Sequence, residues 1–313
     1  MVNMVGLIAL AKHIDFQNIL QDGLLKAKKS LKPLEKCCWN TEPYNGRVFE
    51  KFKNMIEINK IYNEDCLEGM KRIPDKSVDM ILCDLPYGTT ACKWDTIIPF
   101  DSLWKQYERI IKDNGNIVLT ASQPFTSNLI MSNLNLFKYE IIWKKERPTN
   151  FMMAKKQIMK YHENILIFYK KQGTFNPQME KRKEENKRNN KPRGLENKVW
   201  DIENTGKYSE RVLSGSNDLI YPNSVLEFSM ERGLHPTQKP VKLFEYLIKT
   251  YTDEGDLVLD NCMGSGTTAI ASINTNRNYI GFELNKEYYE LAKNRINKHI
   301  LDNNLQDKYS LIA

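Results

Sequence analysis

One segment restricts the fold more than any other, because it joins a short apolar run to a glycine-led helical pattern. Leu257–Leu259 is predicted to be a buried strand, and Gly264–Ile273 is predicted to be the helix that follows it. The loop from Asp260 to Thr268 reads DNCMGSGTT. Since a strand, a tight loop and a helix in succession build α/β sheets, the segment predicts an α/β fold with a ligand-binding loop at the carboxyl end of a strand.

The same alternation of strands and helices extends from Met55 to about residue 300. The other predicted strands are Ile56–Tyr62, Val78–Cys83, Asn116–Ala121, Tyr139–Trp143, Asn164–Tyr169 and Tyr279–Phe282. The other predicted helices are Leu67–Ile73, Leu103–Lys112, Pro240–Tyr251 and Lys286–His299. A basic stretch interrupts the alternation, since residues 181–198 hold eight Lys or Arg against three Glu and almost no apolar residue. The pattern therefore predicts one α/β domain with an insertion.

We accordingly divide the chain into five parts. Residues 1–54 are an N-terminal extension of unknown role without a chemical motif, and residues 301–313 are a C-terminal tail. Residues 55–170 and 233–300 are predicted to be the two halves of the α/β domain. Residues 171–232 are the insertion between them, for which we expect a role in recognition of the target.

Composition restricts the partners only weakly. The net charge of +7 suits a polyanion without establishing one. No apolar run reaches 18 residues, and the first residues lack the basic flank and cleavage site of a signal peptide, so we expect a cytoplasmic protein that does not span a membrane. The six cysteines form no CxxC pair, which argues against a zinc site and for reduced thiols.

The predicted strand Val78–Cys83 runs into the tetrapeptide Asp84-Leu85-Pro86-Tyr87, which offers a carboxylate, a backbone carbonyl and an aromatic ring. An aromatic amine needs acceptors on both N–H bonds before its delocalised lone pair can attack a methyl group. We expect Asp84 and the Leu85 carbonyl to accept these bonds, and Tyr87 to stack on the base. Alignment of the amine with an already activated methyl group would account for much of the remaining rate enhancement. The reaction requires no metal and no covalent enzyme intermediate.

The loop that begins at Asp260 differs from the loops that bind phosphates. It contains neither GK[ST] nor G-x-G-x-x-G. Gly264 and Gly266 let the backbone approach a ligand, but Asp260 would repel a pyrophosphate and attract the α-ammonium of a methionine moiety. Glu283 follows the next predicted strand 23 residues later, near the spacing at which an acid reaches a ribose. The two acids therefore indicate a cofactor with a methionine moiety and a ribose.

These two motifs resemble those of the amino-group DNA methyltransferases, namely the D-P-P-Y tetrapeptide and an F-x-G-x-G-like cofactor loop. The catalytic motif comes first, as in the permuted β class, and the resemblance covers about residues 55–300. It implies a Rossmann-like methyltransferase fold that depends on S-adenosylmethionine, with a mostly parallel sheet, one antiparallel strand and an inserted target-recognition region. It also implies double-stranded DNA as the substrate, with the target base flipped out.

The resemblance implies a set of cofactor contacts as well. The segment HPTQKP, from His235 to Pro240, is similar to the family segment before the cofactor loop, and it implies that His235 and Lys239 lie near the cofactor carboxylate. The segment NEDCLE is similar to the family segment in which an acid, here Asp65, and the next backbone contact the cofactor adenine. The full implied set is Asp65, Cys66, His235, Lys239, Asp260, Asn261, Met263, Gly264, Ser265, Gly266, Thr267 and Glu283.

Two positions depart from the family pattern. Leu85 stands where proline is usual, but it keeps the carbonyl, and Pro86 still favours an extended backbone before it. We therefore expect activity to be retained. Asn261 and Cys262 stand where proline and phenylalanine are common, an exchange that could loosen the cofactor pocket but leaves both glycines of the loop.

The resemblance also bears on the target. An acid at the first tetrapeptide position accompanies adenine N6 more often than cytosine N4, so Asp84 favours adenine. The alternatives are cytosine N4 methylation, an RNA or protein methyltransferase, and a non-catalytic DNA-binding relative.

A cognate restriction endonuclease and a second copy of the chain remain open as partners. The residues expected to contact DNA are Lys144, Lys145, Arg147, Lys181, Arg182, Lys187, Arg188 and Arg193.

Overall fold

An eight-stranded sheet organises the fold. The computed structural model describes residues 56–88, 95–181, 219–231 and 238–312. The strands of the sheet are β1 (Lys60–Tyr62), β2 (Val78–Asp84), β3 (Ile111–Ala121), β4 (Phe137–Lys144), β5 (His162–Phe168), β8 (Val225–Glu227), β9 (Leu257–Asp260) and β10 (Asn278–Phe282). A separate ribbon pairs β6 (Glu180–Lys181) with β7 (Leu219–Ile220). The helices are α1 (Cys66–Met70), α2 (Phe100–Ile110), α3 (Phe125–Ser132), α4 (Val241–Tyr251), α5 (Thr267–Asn274) and α6 (Lys286–Asp302).

The order of the strands across the sheet brings together two halves of the chain that are distant in sequence. The order is β1, β10, β9, β2, β3, β5, β4, β8. Within these eight described strands, β5 alone runs against its neighbours, β3 and β4, and the other adjacent pairs are parallel. The predicted mostly parallel sheet with one antiparallel strand is therefore confirmed. The two halves of the chain meet at two parallel pairs, β2 with β9 and β1 with β10.

Helices cover both faces of the sheet, which is why the central strands are apolar on both sides. In β2, Ile81 and Cys83 pack towards α1, α2 and α3, whereas Met80 and Leu82 pack towards α4. All four side chains are fully buried. Helices α5 and α6 form a third cluster with the β1 and β10 edge of the sheet. The alternation of side chains along each strand thus builds one apolar layer on each face.

Residues Asp113-Asn114-Gly115, a turn-forming sequence directly before the predicted strand Asn116–Ala121, lie inside β3, which begins at Ile111, directly after α2. The pairing with β2 explains the difference. Val78 pairs with Ile111, but Met80, only two residues further on, pairs with Asn116. The turn-forming residues therefore occur as an irregularity within one strand, where they let the register shift without ending the pairing.

Helix α3 and the strands β6, β7 and β8 were not predicted from the sequence, the three strands because runs of two or three residues are too short to show a period. Helix α3 has eight residues, and β8 has three. Strand β8 lies within the range 171–232 that the sequence assigns to an insertion, yet it pairs with β4, and its Leu226 is buried in the apolar layer on the α4 face of the sheet. At the other end of that range, the Asn176 N–H donates to the Thr250 carbonyl at 2.7 Å. Both ends of the range are thus attached to the α/β domain.

The chain after α6 also packs on the domain rather than leaving it. Tyr309 and Ile312 are buried beside α5 and α6. The Asn297 side chain donates to the Ile312 carbonyl at 2.9 Å and accepts from its N–H at 2.8 Å. In the part of the chain that the structure describes, no helix has the length and apolar character needed to cross a membrane.

The contact between α1 and β10 leaves no room for a side chain at Gly69. A Cβ built there would lie 2.2 Å from Cε1 of the buried Phe282 ring. We expect Gly69→Ala to lower the free energy of unfolding by about 1–3 kcal/mol, because overpacking forces the ring or the helix to move. Glu68→Ala, at an exposed position of the same helix, should lower it by less than about 1 kcal/mol. Urea denaturation measures both, and equal losses would contradict the close packing.

Candidate active site

The direction of the strands gathers the predicted motifs at one edge of the sheet. The parallel strands all end there: Asp84 and Asp260 are the last residues of β2 and β9, and Asp65 and Glu283 lie in the loops that follow β1 and β10. Because β5 runs the other way, it contributes its first residues, including Glu163. These residues line one cavity of about 1420 Å³. The tetrapeptide Asp84–Tyr87 and the loop that begins at Asp260, the predicted catalytic and cofactor-binding motifs, therefore share a single cavity.

The cofactor loop is built around a buried carboxylate. Asp260, only 3% exposed, accepts hydrogen bonds from the Cys262 N–H at 3.0 Å and from the Thr268 hydroxyl at 2.5 Å. Burial raises the pKa of Asp260 to about 6. Gly264 and Gly266 both adopt positive φ, 53° and 81°, a conformation that disfavours any other residue type. The loop thus combines an acid close to its ionisation point with a backbone that only glycine adopts readily.

The loop after β10 is tied to the cofactor loop through Glu283. Its carboxylate accepts from the Gly264 N–H at 2.8 Å and from the Asn285 N–H at 2.8 Å. Asp65 caps α1, since its Oδ1 accepts from the Leu67 N–H at 2.8 Å and from the Glu68 N–H at 3.2 Å. Both acids therefore have a structural role in addition to facing the cavity.

Asn261 anchors the cofactor loop to the core. Its Oδ1 accepts from the Tyr107 hydroxyl of α2 at 2.5 Å, and its Nδ2 lies 3.6 Å from the sulfur atoms of both Cys66 and Cys262. The side chain is buried. Asn261 therefore adds contacts where the sequence suggested a loosened pocket. Cys66, Cys83 and Cys262 carry free thiols, and the remaining cysteines lie outside the described residues.

A second brace, which sequence reasoning missed, comes from Arg295 of α6. Its guanidinium donates to the Ser265 carbonyl at 3.0 Å, to the Ser265 hydroxyl at 3.2 Å and to the Thr267 hydroxyl at 3.1 Å. Only the packing of α6 against α5 brings this arginine to the loop, so no local pattern could have identified it. The brace fixes the start of α5, where the cofactor loop ends.

The catalytic tetrapeptide holds its own carboxylate in place. Asp84 Oδ1 accepts from the Tyr87 hydroxyl at 2.7 Å and from the Thr120 hydroxyl of β3, and Oδ2 accepts from Lys239 Nζ at 2.6 Å. The Tyr87 ring stacks on Phe125 with ring centroids 5.2 Å apart. Leu85 is buried in the main core cluster, and Pro86 lines the cavity. Three donors from different parts of the fold therefore orient the Asp84 carboxylate.

Lys239 lies on the catalytic side of the cavity. Its ammonium, in a side chain only 6% exposed, contacts Asp84 and stands 3.4 Å from Oε2 of Glu163. Burial by itself would lower the pKa of this ammonium, but the carboxylates of Asp84 and Glu163 outweigh burial and raise it. Lys239 is therefore held as a cation beside Asp84. The resemblance implied a contact with the cofactor carboxylate, whereas the contacts seen here are with two protein carboxylates.

Glu163 continues this buried row of charges to Lys145. Its Oε1 accepts from Lys145 Nζ, which also lies 4.7 Å from the centroid of the Trp143 ring. Burial would raise the pKa of Glu163, but the ammonium groups of Lys239 and Lys145 lower it. The two lysines and two carboxylates balance in charge, so the cavity wall contains a neutral chain Lys145–Glu163–Lys239–Asp84.

This chain changes the expectation for Lys145. The sequence suggested a DNA contact, but the side chain is only 5% exposed and is engaged with Glu163. Lys144 and Arg147 are exposed, and Lys144 pairs with Glu227 at 2.7 Å. Lys181 is exposed in β6. The expected site residues that lie outside the described residues are Arg182, Lys187, Arg188, Arg193 and His235.

A family model described as DNA methylase, of the type that includes N6 and N4 enzymes, matches residues 78–294. This match spans more than half of the chain and includes both motifs. The chain belongs to the DNA methylase family. The predicted resemblance to the amino-group DNA methyltransferases is thereby confirmed, and the cavity at the sheet edge is the candidate active site of a DNA methyltransferase.

Individual members of the DNA methylase family are similar over most of their length. Type II methyltransferase M2.MboI of Moraxella bovis is 28% identical over 294 residues, which cover 84% of this chain and 97% of that protein. DNA adenine methyltransferase YhdJ of Escherichia coli is 29% identical over 262 residues, which cover 77% and 83%. The solved M1.HpyAVI–SAM complex aligns with a TM-score of 0.50 at 28% identity, covering 75% of this chain and 98% of that one.

The buried row of charges predicts a large effect of a small change. Glu163→Gln should lower the free energy of unfolding by about 3–5 kcal/mol, because two buried ammonium groups then lose the carboxylate between them. Glu140→Gln, at an exposed position on the neighbouring strand β4, should lower it by less than about 1 kcal/mol. Chemical denaturation of both variants provides the comparison. A Glu163→Gln variant as stable as the control would argue against the buried chain.

Proposed function

We propose that the chain is a site-specific DNA methyltransferase that transfers a methyl group from S-adenosylmethionine to N6 of a flipped-out adenine. The observation that carries the proposal is that Asp84, oriented by three donors, faces the same cavity as the buried Asp260 and its glycine loop. A carboxylate for the target amine and a carboxylate for the cofactor would then lie on opposite sides of one reaction space.

The cofactor side of the cavity fits S-adenosylmethionine by the chemistry of its donors and acceptors. Asp260 accepts from the Cys262 N–H, the Thr268 hydroxyl and the Cys83 thiol, and because a carboxylate has four acceptor positions it retains one for the α-ammonium. Glu283 would accept from the ribose hydroxyls, and Asp65 with the Cys66 backbone would contact the adenine. When bound, S-adenosylmethionine supplies a methyl group activated by a sulfonium. The remaining proposed contacts are His235, Lys239, Asn261, Met263, Gly264, Ser265, Gly266 and Thr267.

On the target side, Asp84 has one acceptor position left. Its Oδ1 already accepts two hydrogen bonds, whereas its Oδ2 accepts one, from Lys239. A carboxylate oxygen has two lone pairs, so Oδ2 would accept one N–H of the target amine. The Leu85 carbonyl would accept the other. Because positive charge develops on the nitrogen as it attacks the methyl group, both acceptors would bind the transition state more strongly than the ground state.

Lys239 supports this role by holding Asp84 in position. Its ammonium lies 2.6 Å from Oδ2 of Asp84, and this charge-assisted contact fixes the carboxylate beside the cavity. The Tyr87 and Thr120 hydroxyls donate to Oδ1 of Asp84 and so fix the orientation of the carboxylate, which in turn sets the direction of the remaining acceptor position on Oδ2. Tyr87 would also offer a ring surface to the flipped base. Asp84, Leu85, Pro86 and Tyr87 thus form the proposed catalytic group.

Adenine is the proposed target for two reasons. The acid at the first position of the tetrapeptide is the residue that accompanies adenine in the resembling family, and one relative is named as a DNA adenine methyltransferase. Cytosine N4 is the second candidate, because the family model includes N4 enzymes and a cytosine amine offers the same two N–H donors. The names of the relatives as Type II methyltransferases support a cognate restriction endonuclease as a partner.

DNA contact is proposed for the exposed basic residues around the cavity and in the insertion. Lys144, Arg147 and Lys181 are exposed, and residues 182–193 add further arginines and lysines. Such residues would bind phosphates and make affinity depend on salt. Residues 171–232 would then provide the target-recognition region, in which a few side chains read base edges.

The product base tests the proposal directly. Purified protein, labelled S-adenosylmethionine and genomic DNA from a methylation-deficient strain should yield N6-methyladenine when the DNA is digested to nucleosides, and sequencing of the product should map the site. Asp84→Asn should reduce turnover by about 10²–10³-fold, because the ionised acceptor is lost, while cofactor affinity stays within about threefold. Asp101→Asn, exposed on α2, is the matched control. Label in N4-methylcytosine would identify the second candidate, and no label in DNA would refute methyl transfer.

The pKa of Asp260 predicts how cofactor binding depends on pH. A carboxylate with a pKa of about 6 is almost fully ionised at pH 7.5 and mostly protonated at pH 5.5. Since only the ionised form attracts the α-ammonium, the dissociation constant should rise roughly fourfold over that range. Calorimetric titration at several pH values measures it. Asp260→Asn should bind weakly at every pH, whereas Glu283→Gln should keep the pH dependence. A wild-type affinity that does not change with pH would contradict the role of Asp260.

A further inference from the structure

Between β4 and β5 the chain leaves the sheet edge and forms a protrusion, residues 147–161. The apolar side chains at its tip face solvent. Phe151 is 69% exposed, Met152 is 85% exposed and Ile158 is 94% exposed. Isolated exposed apolar residues are common, but three large ones on one short segment indicate a surface that is covered when the protein acts.

Hydrogen bonds hold this protrusion in shape. The Lys145 N–H donates to the Tyr161 carbonyl at 2.7 Å, and the Thr149 N–H donates to the Lys160 carbonyl at 3.1 Å. Asn150 Oδ1 then accepts from the Lys160 N–H at 2.6 Å. These bonds extend the β4–β5 pairing beyond the sheet as a stem, and a 3₁₀ turn at Phe151–Met153 follows. The stem therefore holds the apolar tip away from the core.

The stem stands at the mouth of the candidate active site. Thr149 and Asn150 line the same cavity as Asp84. Lys160 Nζ donates to the hydroxyl of Ser122, which also lines the cavity and follows β3. A partner that covered the tip would therefore lie directly beside the opening through which a target base has to enter.

The charge of the protrusion selects the kind of partner. Residues 147–161 include Arg147, Lys155, Lys156 and Lys160 and contain no Asp or Glu. Lys155 and Lys156 are exposed and lie in sequence between Met152 and Ile158, whereas Arg147 and Lys160 precede and follow the apolar residues of the tip. Apolar groups mixed with cations match a partner that offers apolar surface beside anionic groups, as in a stack of bases between two phosphate backbones. A second copy of this chain, with its net charge of +7, offers a poorer complement.

We propose that the protrusion docks on duplex DNA beside the target, with Met152 and Ile158 entering the base stack where the flipped nucleotide leaves it. The proposal rests on the proposed function, because it requires a base to be flipped. Extrusion of a base removes stacking contacts on both neighbours. Apolar side chains inserted at that position replace those contacts with apolar surface and are themselves removed from water. Lys155 and Lys156 would bind the adjoining phosphates.

The first experiment uses a triple variant, Phe151→Ser, Met152→Ser and Ile158→Ser. Its substrate is a duplex with the mapped methylation site and 2-aminopurine in place of the target base, whose fluorescence rises on unstacking. We expect the triple variant to lose most of this rise, and to methylate the corresponding normal duplex at least about tenfold more slowly. An abasic site opposite the target, which makes extrusion easier, should restore much of the rate. Unfolding temperature and cofactor affinity should equal those of the wild type.

The matched control is the double variant Met131→Ser and Leu134→Ser, which removes exposed apolar side chains elsewhere on the surface. It should flip and methylate like the wild type. If the wild type methylates DNA and the triple variant matches it in fluorescence and rate, insertion is refuted while the proposed function stands. If the wild type transfers no methyl group, the proposed function itself fails. If sedimentation shows that the triple variant turns a dimer into a monomer, a second copy covers the tip and DNA docking is overturned.

A second variant tests the phosphate contacts without touching the apolar tip. In Lys155→Gln with Lys156→Gln, the slope of log affinity for duplex DNA against log salt concentration should become shallower by about 1.8. Lys286→Gln with Lys298→Gln, on helix α6, serves as the control of equal charge change. A slope that matches the wild type in the first pair would show that these lysines do not meet phosphates and would overturn the proposed docking.

Discussion

The parallel pairing of β2 with β9 is the constraint on which the site depends. Met80 pairs with Val258, and Ile81 pairs with Leu259, although the paired residues are far apart in sequence. With this register both strands end at the same edge, one in Asp84 and the other in Asp260. A shift by one residue would reverse which side chains of β2 face α4, so the apolar alternation of the strand keeps the register in place. Burial of the core thus fixes the relative position of the two acids.

Electrostatic interactions then determine which residues at this edge of the sheet are paired with an opposite charge. The buried chain Lys145–Glu163–Lys239–Asp84 removes four charges from water, which is unfavourable unless each charge is paired. Pairing is complete along the chain, and the pKa shifts of Lys239 and Glu163 both favour the charged forms. Asp260, by contrast, has no cation among the contacts that hold it, and its pKa is raised. The two acids therefore differ in their surroundings. Asp84 already forms an ion pair with Lys239, whereas Asp260 would gain a cationic partner only when a ligand binds.

Much of the fold followed from local sequence pattern, and the limits have physical causes. The apolar runs of β2, β3, β5, β9 and β10 predicted strands because they are buried on both faces. The tetrapeptide and the glycine loop could be recognised from the sequence because the functional groups of each motif lie within a few adjacent residues. Lys145 was misjudged because it lies in the charged run KKER, and only its contacts with Glu163 and Trp143 show that it is buried. Arg295 and Glu163 were missed for the same reason, since their partners are brought to them by strands and helices far away in sequence.

The β4–β5 hairpin connects these observations. At its base it carries Lys145 and Glu163, which hold Lys239 and through it Asp84. Beyond the sheet edge the same hairpin continues as the hydrogen-bonded stem with its apolar tip. Strand β5 runs antiparallel to its neighbours β3 and β4. Because of this reversal, its first residues rather than its last lie at the active-site edge of the sheet. One continuous hydrogen-bonded hairpin therefore connects the exposed tip with the residues that orient Asp84, so that a partner held at the tip would lie at a defined position relative to this carboxylate.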